Sequence, residues 1–551
     1  MIGFFEKTEK RVSMKLKNAL LIGAVTALFG CTTAFAAGFP DVSAGHWAAQ
    51  SIARADQVGF MKGMEDGTFG MGQNLTRAQF VSLLTRMFGW ERVDAETPTF
   101  SDASDRNMWY YKDVETAVQH GVAEKGNGTF RPNENITREE IAVMIVRALG
   151  YETLAGEAEN MGCPFRDVSS NKGYINLAYD MGIISGMGDG TFAPKGTAKR
   201  EEAAAMMVRC YDKMTSDVDF LHGFYAFSSY SQKELAGEMD AVSFGWGQMQ
   251  LDGNGVVLNT TTANNNEWNV PAGYEDIVSY LESKGVQKNL NVYMADRNTA
   301  NTILGSAENR AKAIDAIMFE LTVDYRKLGH NPYDGVTIDF EGLSGSKQKQ
   351  DFVLFLNELK DAMGGIDKKL YVAVQPAMKD GNYFDGYDFK EIGKTADKVI
   401  MMAYDYETTA QETNGFTTTP VTPFDEVYYG LKKITDKNSG VEDKTKIVLG
   451  LNPSANIMWQ LSGGAAQRGP LLSYSDIMAM EQNGGQVTYS EKYRNPYMKY
   501  GDEVIWYEDA RSIRDKIDLM KMFGINGVSV WRLGLIPAVG TGNDNIWNVL
   551  K

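Results

Sequence analysis

The chain has little with which to hold a metal, a phosphate or a nucleic acid. Four histidines (His46, His120, His222, His330) and three cysteines (Cys31, Cys163, Cys210) are scattered over 551 residues. No two histidines stand at ligand spacing, and HExxH and Cys-x-x-Cys do not occur, so a zinc site is not expected. GxSxG, Walker-A and Rossmann glycine patterns are also missing, and with them the signatures of serine-hydrolase, P-loop and dinucleotide chemistry. Glycine clusters such as Gly186-Met187-Gly188-Asp189-Gly190 belong to repeats instead. No cofactor is implied. Positive charge is in deficit: 55 Lys and Arg stand against 71 Asp and Glu, a formal charge of -16. No basic stripe is available to neutralise phosphates, which argues against a nucleic-acid partner.

The first 36 residues read as an export signal. Lys7, Lys10, Arg11, Lys15 and Lys17 precede an apolar run over 19–30, and Ala34-Phe35-Ala36 has the small-x-small form of a cleavage site. The run is short for a bilayer span, so no membrane span is expected once the signal is removed. Met14 is an alternative start, leaving a more compact basic segment. A lipoprotein-type reading through Leu28-Phe29-Gly30-Cys31 suffers from the bulk of Phe29. The expectation is a secreted protein, where a disulfide can persist. Cys163 and Cys210 are then open either to a bridge or to two buried thiols.

Self-similarity organises the N-terminal third. Asp66-Gly67-Thr68-Phe69, Asn127-Gly128-Thr129-Phe130 and Asp189-Gly190-Thr191-Phe192 follow at steps of 61 and 62 residues, as do Arg77, Arg138 and Arg200. Phe39-Pro40-Asp41-Val42, Phe100-Ser101-Asp102 and Phe165-Arg166-Asp167-Val168 open the three units. Each unit reads as a helix, a glycine turn and a second helix. Thr76 and Thr137 stand where a helix N-cap is wanted, and Lys199 replaces them in the third unit.

Thr76-Arg77-Ala78-Gln79-Phe80 and Thr137-Arg138-Glu139-Glu140-Ile141, with Lys199-Arg200-Glu201-Glu202-Ala203 in part, resemble the surface-layer-homology (SLH) module. The resemblance implies repeats over 38–96, 97–158 and 159–216, arranged about a pseudo-threefold axis. It implies a cell-wall or cell-surface location, S-layer associated, and a secondary cell-wall polysaccharide, anionic and often pyruvylated, as partner. By the same carry-over Arg77, Arg138 and Arg200 are its anion contacts, since a guanidinium grips a carboxylate through two hydrogen bonds. Trp47 and Trp109 are offered as sugar-stacking groups, with Tyr174 nearby in the third unit. The plainer reading is that the glycines make turns, the phenylalanines are core, and each arginine pairs internally.

From about residue 217 the texture changes to apolar, β-rich runs separated by helical stretches. Strand candidates are 221–227, 241–245, 290–295, 335–341, 370–376, 399–406, 447–451 and 525–531, with helical patterns such as 307–328, 347–363 and 510–523 between them. Eight such alternations over 217–551 predict a (β/α)8 TIM barrel rather than an open doubly wound sheet. The aromatic stretch 456–508 between the last two candidates is long for a loop and is expected to form a small insertion walling a cleft.

Barrel chemistry sits where strands end. The fourth candidate, Tyr333-Asp334-Gly335-Val336-Thr337-Ile338-Asp339-Phe340-Glu341, alternates so that Thr337, Asp339 and Glu341 share one face. Two neighbouring carboxylates repel, which raises one of them toward the range of a general acid. The bland alternative is a strand running into a solvated acidic turn. Tyr225, Gln375, Tyr404, Asp405 and Trp531 stand at other strand ends, a mixture of aromatic and polar groups that suits a sugar.

These residues resemble glycoside hydrolase family 18, the chitinase-like family. Its DGxxxDxE signature is met by Asp334, Gly335, Asp339 and Glu341, its MxYD motif by Met402, Tyr404 and Asp405, and its last strand by Gly527-Val528-Ser529-Val530-Trp531. The resemblance implies retaining catalysis without a protein nucleophile, in which the substrate's own acetamido oxygen attacks the anomeric carbon. It assigns Glu341 as proton donor, Asp339 as partner of the acetamido N–H, Tyr404 as the group aiming its oxygen, and Trp531 as subsite floor. Asp405, Tyr225, Gln375 and Asp334 follow as further contacts. Thr337 departs from the family, where a second Asp or an Asn is common and can share a proton with the middle Asp; tuning of Asp339 is expected to differ and turnover to be lower. The reading is a wall-anchored hydrolase cleaving β-1,4 bonds beside N-acetylglucosamine, in peptidoglycan or chitin oligomers and, more remotely, N-glycan cores. A sugar-binding barrel that does not cut and a structural surface-layer component are the rivals; the presence of Glu341 disfavours the first, and the complete cleft motif argues against the second.

Overall fold

A computed structural model describes residues 38–126, 128–253, 255–324, 328–379, 385–406, 418–462, 465–537 and 545–551. The expected export signal therefore lies outside the described residues. The chain divides into two compact units. One comprises residues up to Leu149 with Phe165–Val168 and Gly186–Arg209; the other comprises Gly150–Pro164, Ser169–Ser185 and Cys210–Lys551.

In the first unit the repeat motifs close a ring. The helices Arg77–Met87 and Arg138–Ala148 open with full capping boxes on Thr76 and Thr137. At the third helix only half a box remains: the Lys199 amide donates to Glu202 Oε2 at 2.9 Å. The aspartates of the opening motifs explain the spacing to each glycine turn. Asp41 accepts from the amides of Phe69, Gly70 and Met71 at 2.7–2.9 Å. Asp102 and Asp167 do the same for Phe130 and Arg131 and for Phe192 and Ala193, at 2.7–2.8 Å. At the centre Leu75 N donates to Ala198 O, Ile136 N to Leu75 O, and Ala198 N to Ile136 O. These three residues are fully buried, so the ring satisfies backbone groups that water cannot reach.

The second unit is built on a barrel of eight parallel strands: β1 (Phe220–Tyr225), β2 (Ala241–Asp252), β4 (Gln287–Met294), β5 (Gly335–Phe340), β6 (Lys369–Val374), β7 (Lys398–Met402), β8 (Ile447–Leu451) and β14 (Gly527–Val530), closed by the pairing of β1 with both β2 and β14. Helices such as Gly345–Ala362 and Ala510–Met522 lie between them in sequence. Strand β5 shows the logic: Val336, Ile338 and Phe340 turn outward, with the Phe340 ring 5.3 Å from Phe355 of a helix, while Thr337 and Asp339 turn inward.

Most strand ends lie within three residues of the sequence reading, and two differ by more. Strand β2 runs past 245 and turns back as β3 (Gly255–Asn259), whose antiparallel ladder satisfies the overhang. Strand β7 stops at Met402 because the backbone turns there: Tyr404 N bonds back to Met402 O at 2.9 Å, and Asp405 has φ 63°. Between β8 and β14 stands an antiparallel sheet of β9 (Ile457–Ser462), β10 (Ala465–Leu471), β11 (Gln486–Ser490), β12 (Asn495–Tyr500) and β13 (Glu503–Trp506), with helix Tyr474–Gln482. Its buried Ile457, Trp459, Val504 and Trp506 form one cluster with Tyr404 and Val421, and partly buried Trp531 packs against it.

Helices Glu152–Ala158 and Lys172–Asp180, from the stretch expected as the second and third repeats, pack within the second unit. Asp180 accepts from Tyr428 Oη at 2.6 Å and pairs with Lys432 at 2.8 Å, and Glu157 pairs with Lys379 and Lys492, each at 3.2 Å. Cys163 and Cys210 are both free thiols. Cys210 is buried, and burial pushes its thiol up to about 12. No described helix is long and apolar enough to cross a membrane.

Candidate active site

Asp339 is buried at the inner C-terminal end of β5. Its Oδ2 accepts from Asn291 Nδ2 on β4 at 3.0 Å, and its Oδ1 has no hydrogen-bond partner among the described residues. Burial raises its pKa to about 6, against the pull of the Asn291 hydrogen bond. Glu341 is partly exposed, one residue past the strand, its amide bonded to Met294 O at 2.7 Å. Burial first, then the charges of Asp339 and Asp405, hold its carboxyl well above the usual carboxylate range. Repulsion between the two carboxylates is thus settled by leaving the proton on Glu341.

Below the pair lies a neutral network. Thr337 Oγ1 is 2.6 Å from Ser243 Oγ and accepts from Asn289 Nδ2 at 3.3 Å. Ser243 Oγ is 2.8 Å from His222 Nε2, and His222 Nδ1 is 2.7 Å from Ser529 Oγ. All five residues are fully buried. Burial takes His222 down to about 3, so the imidazole is uncharged at neutral pH. Thr337 is therefore tied to its neighbours and gives Asp339 no second carboxylate.

Around the mouth, Tyr404 is buried with its hydroxyl unpartnered among the described residues, and burial followed by the charges of Asp339, Asp405 and Glu341 keeps it a phenol. Tyr293 of β4 also feels Glu341 and Asp339; burial is the larger cause of a shift to about 12. Gln375 Oε1 accepts from Gly342 N at 2.7 Å and from Tyr387 Oη at 3.2 Å, while Tyr387 also donates to Phe340 O at 2.7 Å. Gln375 and Tyr387 thereby clamp the backbone on both sides of Glu341. Trp531 packs on Phe224, ring centroids 5.2 Å apart, and lies 6.0 Å from Trp268, which stacks on Tyr293 at 4.1 Å.

Two of the expected contacts lie elsewhere. Asp334 precedes β5 at its N-terminal end, where it binds Lys288 through the amide at 2.9 Å and Nζ at 2.8 Å. Asp339 stands five residue steps further on, roughly 16 Å at 3.3 Å per residue. Gly335 beside it is required by packing, since a Cβ would stand 2.3 Å from Lys369 O. The first half of the signature is thus structural. Tyr225 is excluded by alternation on β1: His222 and Phe224 face the interior, so Tyr225 faces outward, packing edge-on to Phe244 at 5.5 Å. Phe224 takes the inner position.

The sequence reading also missed Asn291, Tyr293, Trp268 and Tyr387. The run Asn289-Leu290-Asn291-Val292-Tyr293 alternates with period two and carries a readable signal. Trp268 and Tyr387 sit outside strands and carry none. Among the described residues no group of three or more His, Cys, Asp or Glu is placed to hold a metal.

In the first unit Arg77, Arg138 and Arg200 are buried, and each Nε donates to a backbone carbonyl, of Phe130, Phe192 and Phe69 respectively, at 2.8–2.9 Å. Each guanidinium also lies over that phenylalanine's ring, 4.8–5.0 Å from its centroid. Trp47 and Trp109 are 65% and 58% exposed.

An acidic, aromatic-lined mouth at the C-terminal ends of a closed parallel barrel defines a carbohydrate-active (β/α)8 domain. The chain belongs to the glycosyl hydrolases family 18, whose model matches residues 222–535. S-layer homology domains match at 38–81, 99–142 and 164–204. An endoglucanase of Bacillus sp. strain KSM-635 is 31% identical over 280 residues, 47% of this chain and 28% of that protein. A cortical fragment-lytic enzyme of Bacillus subtilis is 26% identical over 231 residues, 40% of this chain and 50% of that one. The chain therefore spans half or less of the length of these relatives. Among solved structures, the Bacillus cereus spore cortex-lytic enzyme SleL is 19% identical with a TM-score of 0.47, covering 61% of this chain and 74% of its own.

The raised pKa of Asp339 has a consequence for stability. Between the ordinary 3.8 and the folded value of about 6 the native state keeps a proton that the unfolded chain has released. Its contribution is therefore fully present below pH 4 and lost as pH rises through 6. Asp339→Asn removes that cost, so the variant is expected to be more stable than wild type at pH 7 by about 3 kcal/mol. The gain should vanish near pH 4. Thermal melts at the two pH values check this, and an equal gain at both would show that burial of the charge is not its cause.

Proposed function

We propose that this protein is a cell-surface glycoside hydrolase that cleaves β-1,4 linkages at N-acetylglucosamine by substrate-assisted retaining catalysis. Peptidoglycan strands are the first substrate and chitin oligomers the second. The observation that carries this reading is a pair of buried polar atoms beside Glu341, Asp339 Oδ1 and Tyr404 Oη, that lack any protein partner among the described residues. Buried polar atoms left unmet cost stability, and an acetamido group offers each of them a match. Its N–H would donate to Asp339 Oδ1, and its carbonyl oxygen would accept from Tyr404.

In that pose the acetamido oxygen attacks the anomeric carbon while Glu341 gives its proton to the departing glycosidic oxygen. The oxazolinium cation that forms faces the Asp339 carboxylate, which Asn291 orients from behind. Glu341, now ionised, takes a proton from water as the water attacks the same carbon from the leaving-group side, and the configuration is retained. The S-layer homology repeats would tether this barrel to anionic wall polysaccharide and so place it beside peptidoglycan.

Digestion of defined peptidoglycan and chitin oligomers, followed by mass spectrometry and early-time NMR, tests the reading. Products should end in reducing N-acetylglucosamine, released first as the β anomer. Initial release of the α anomer would overturn the mechanism, and products ending only in reducing N-acetylmuramic acid would overturn the assigned linkage.

A further inference from the structure

Arg532 follows Trp531 on the segment that leaves the last barrel strand, and the backbone there is clamped to the loop after β1. Leu533 N donates to Phe224 O at 3.0 Å, and Ser229 Oγ donates to Leu533 O. Gln232 holds the next turn, accepting from Gly534 N at 2.7 Å and Ile536 N at 3.2 Å and donating to Ile536 O at 2.7 Å. Gly534 is required by this close approach: its φ is 90°, and a Cβ would stand 2.7 Å from Ser229 Cα. Strands β1 and β14 are neighbours, with Gly223 opposite Val530. The clamp therefore sits at the C-terminal rim of the barrel, on the face that carries Asp339 and Glu341.

The side chain of Arg532 is half-buried and held by neutral oxygens. Its Nη1 donates to Ser228 Oγ at 2.7 Å and lies 3.4 Å from Ser229 Oγ and 3.5 Å from Leu533 O. Among the described residues its Nε and Nη2 meet no acceptor and no carboxylate pairs with it; burial is what pushes its pKa down. Other arginines of this unit differ. Arg310 grips Glu358 through Nε and Nη2, each bond 2.8 Å, and Arg494 lies 3.5 Å from Asp515. The edge that Arg310 gives to Glu358 is the edge for which Arg532 has no protein partner. Taking a guanidinium partly out of water without an anion costs stability, and a carboxylate meeting that edge recovers the cost through two parallel hydrogen bonds.

We infer that Arg532 selects peptidoglycan over chitin, by gripping a carboxylate borne by the muramic residue linked to the N-acetylglucosamine over Trp531. That carboxylate is the one on the lactyl arm or one on the stem peptide that continues it, and chitin carries neither. Trp531 is the floor assigned to N-acetylglucosamine and Arg532 is the next residue, so the sugar linked beyond would pass over this rim. Asp339 and Asp405 give the mouth negative charge, and Arg532 is the cation that would let an acidic glycan settle there. The clamp on both sides of Arg532 fixes its backbone before the substrate arrives, so little ordering remains to be done on binding. The inference rests on the hydrolase reading above.

The test uses the full chain on chitin oligomers and on peptidoglycan strands, either freed of peptide by an amidase or keeping their stems. Each kind of strand is used native and with its carboxylates amidated by carbodiimide and methylamine, and kcat/KM is read from reducing ends. Wild type should cleave native strands with kcat/KM about tenfold or more above that on amidated ones, carried by KM, since hydrogen bonds to a charged group are worth this much. Arg532→Gln should abolish that preference and lower the strand-to-chitin ratio of kcat/KM to the same extent. Arg532→Lys, which keeps the charge without the fork, should restore part of it. A preference on peptide-free strands assigns the lactyl carboxylate, and one confined to strands with stems assigns the peptide's; either supports the inference. No preference for native over amidated strands overturns it, a result read on wild type and so independent of how a variant folds. An equal fall on strands and chitin oligomers in Arg532→Gln would also overturn it, making the arginine a support for Trp531. If wild type cleaves neither strands nor chitin oligomers, the hydrolase reading itself falls.

Discussion

Glu341→Gln should reduce release of reducing ends from peptidoglycan or chitin oligomers by about 10²- to 10⁴-fold, the scale on which a general acid–base group contributes. The glutamine keeps the shape of the side chain but cannot give a proton to the glycosidic oxygen or take one from water, so both halves of the reaction suffer. Binding should survive, because the contacts assigned to Asp339, Tyr404 and Trp531 remain. Oligosaccharide titration followed by tryptophan fluorescence should give an unchanged Kd. The variant should also melt no lower than wild type, since Glu341 is already held protonated by burial and by its two acidic neighbours. Equal hydrolysis by wild type and variant would remove Glu341 from the chemistry. Loss of hydrolysis together with binding would make it a substrate contact instead.

Lys516→Met is expected to produce the largest change in stability, a loss of about 3–5 kcal/mol. Lys516 and Glu508 are completely buried, with Nζ 3.0 Å from Oε2 and 3.2 Å from Oε1. Asn495 of β12 holds both partners, donating to Glu508 at 2.8 Å and accepting from Lys516 at 3.1 Å. Ser512 and Thr422 also donate to Glu508. The cluster joins the insertion sheet, the helix Ala510–Met522 and the segment beside Val421. Removing the lysine strands a carboxylate in the interior, whereas replacing both ions with apolar groups removes the desolvation penalty along with the attraction. Lys516→Met combined with Glu508→Met should therefore recover much of the loss. Urea midpoints check both variants, and a double variant no more stable than the single one would mean that the hydrogen-bond network, not the charge pair, is what the fold requires.

Much of the site was legible because its signals are local. Period-two alternation put Asp339 and Glu341 on one face of a strand, and three motifs recurring in order at steps of 61 and 62 residues marked the repeats. The same alternation misled at Tyr225, whose face depends on where β1 enters the barrel: a shift of one residue exchanges inside for outside. Asp334 was drawn into the site by its place in a motif, although a strand carries its two ends to opposite faces of a barrel. Asn291 and Tyr293 had a readable pattern that went unused. Trp268 and Tyr387 had none, since a loop residue reaches a site only through the fold.

Sequence by itself determined the order of the domains, the eight-strand count, the carboxylate pair and the family, all of which rest on short-range spacing. The tertiary structure alone decided which carboxylate keeps the proton, that Thr337 is tied into a neutral His222–Ser243 network, and that Asn291 orients Asp339. It also decided that Arg77, Arg138 and Arg200, which recur at equivalent places in the repeats, are buried with each Nε bonded to a phenylalanine carbonyl. Each of these depends on distances between residues far apart in the chain, and electrostatic balance is set by what burial brings together, not by what the sequence places side by side.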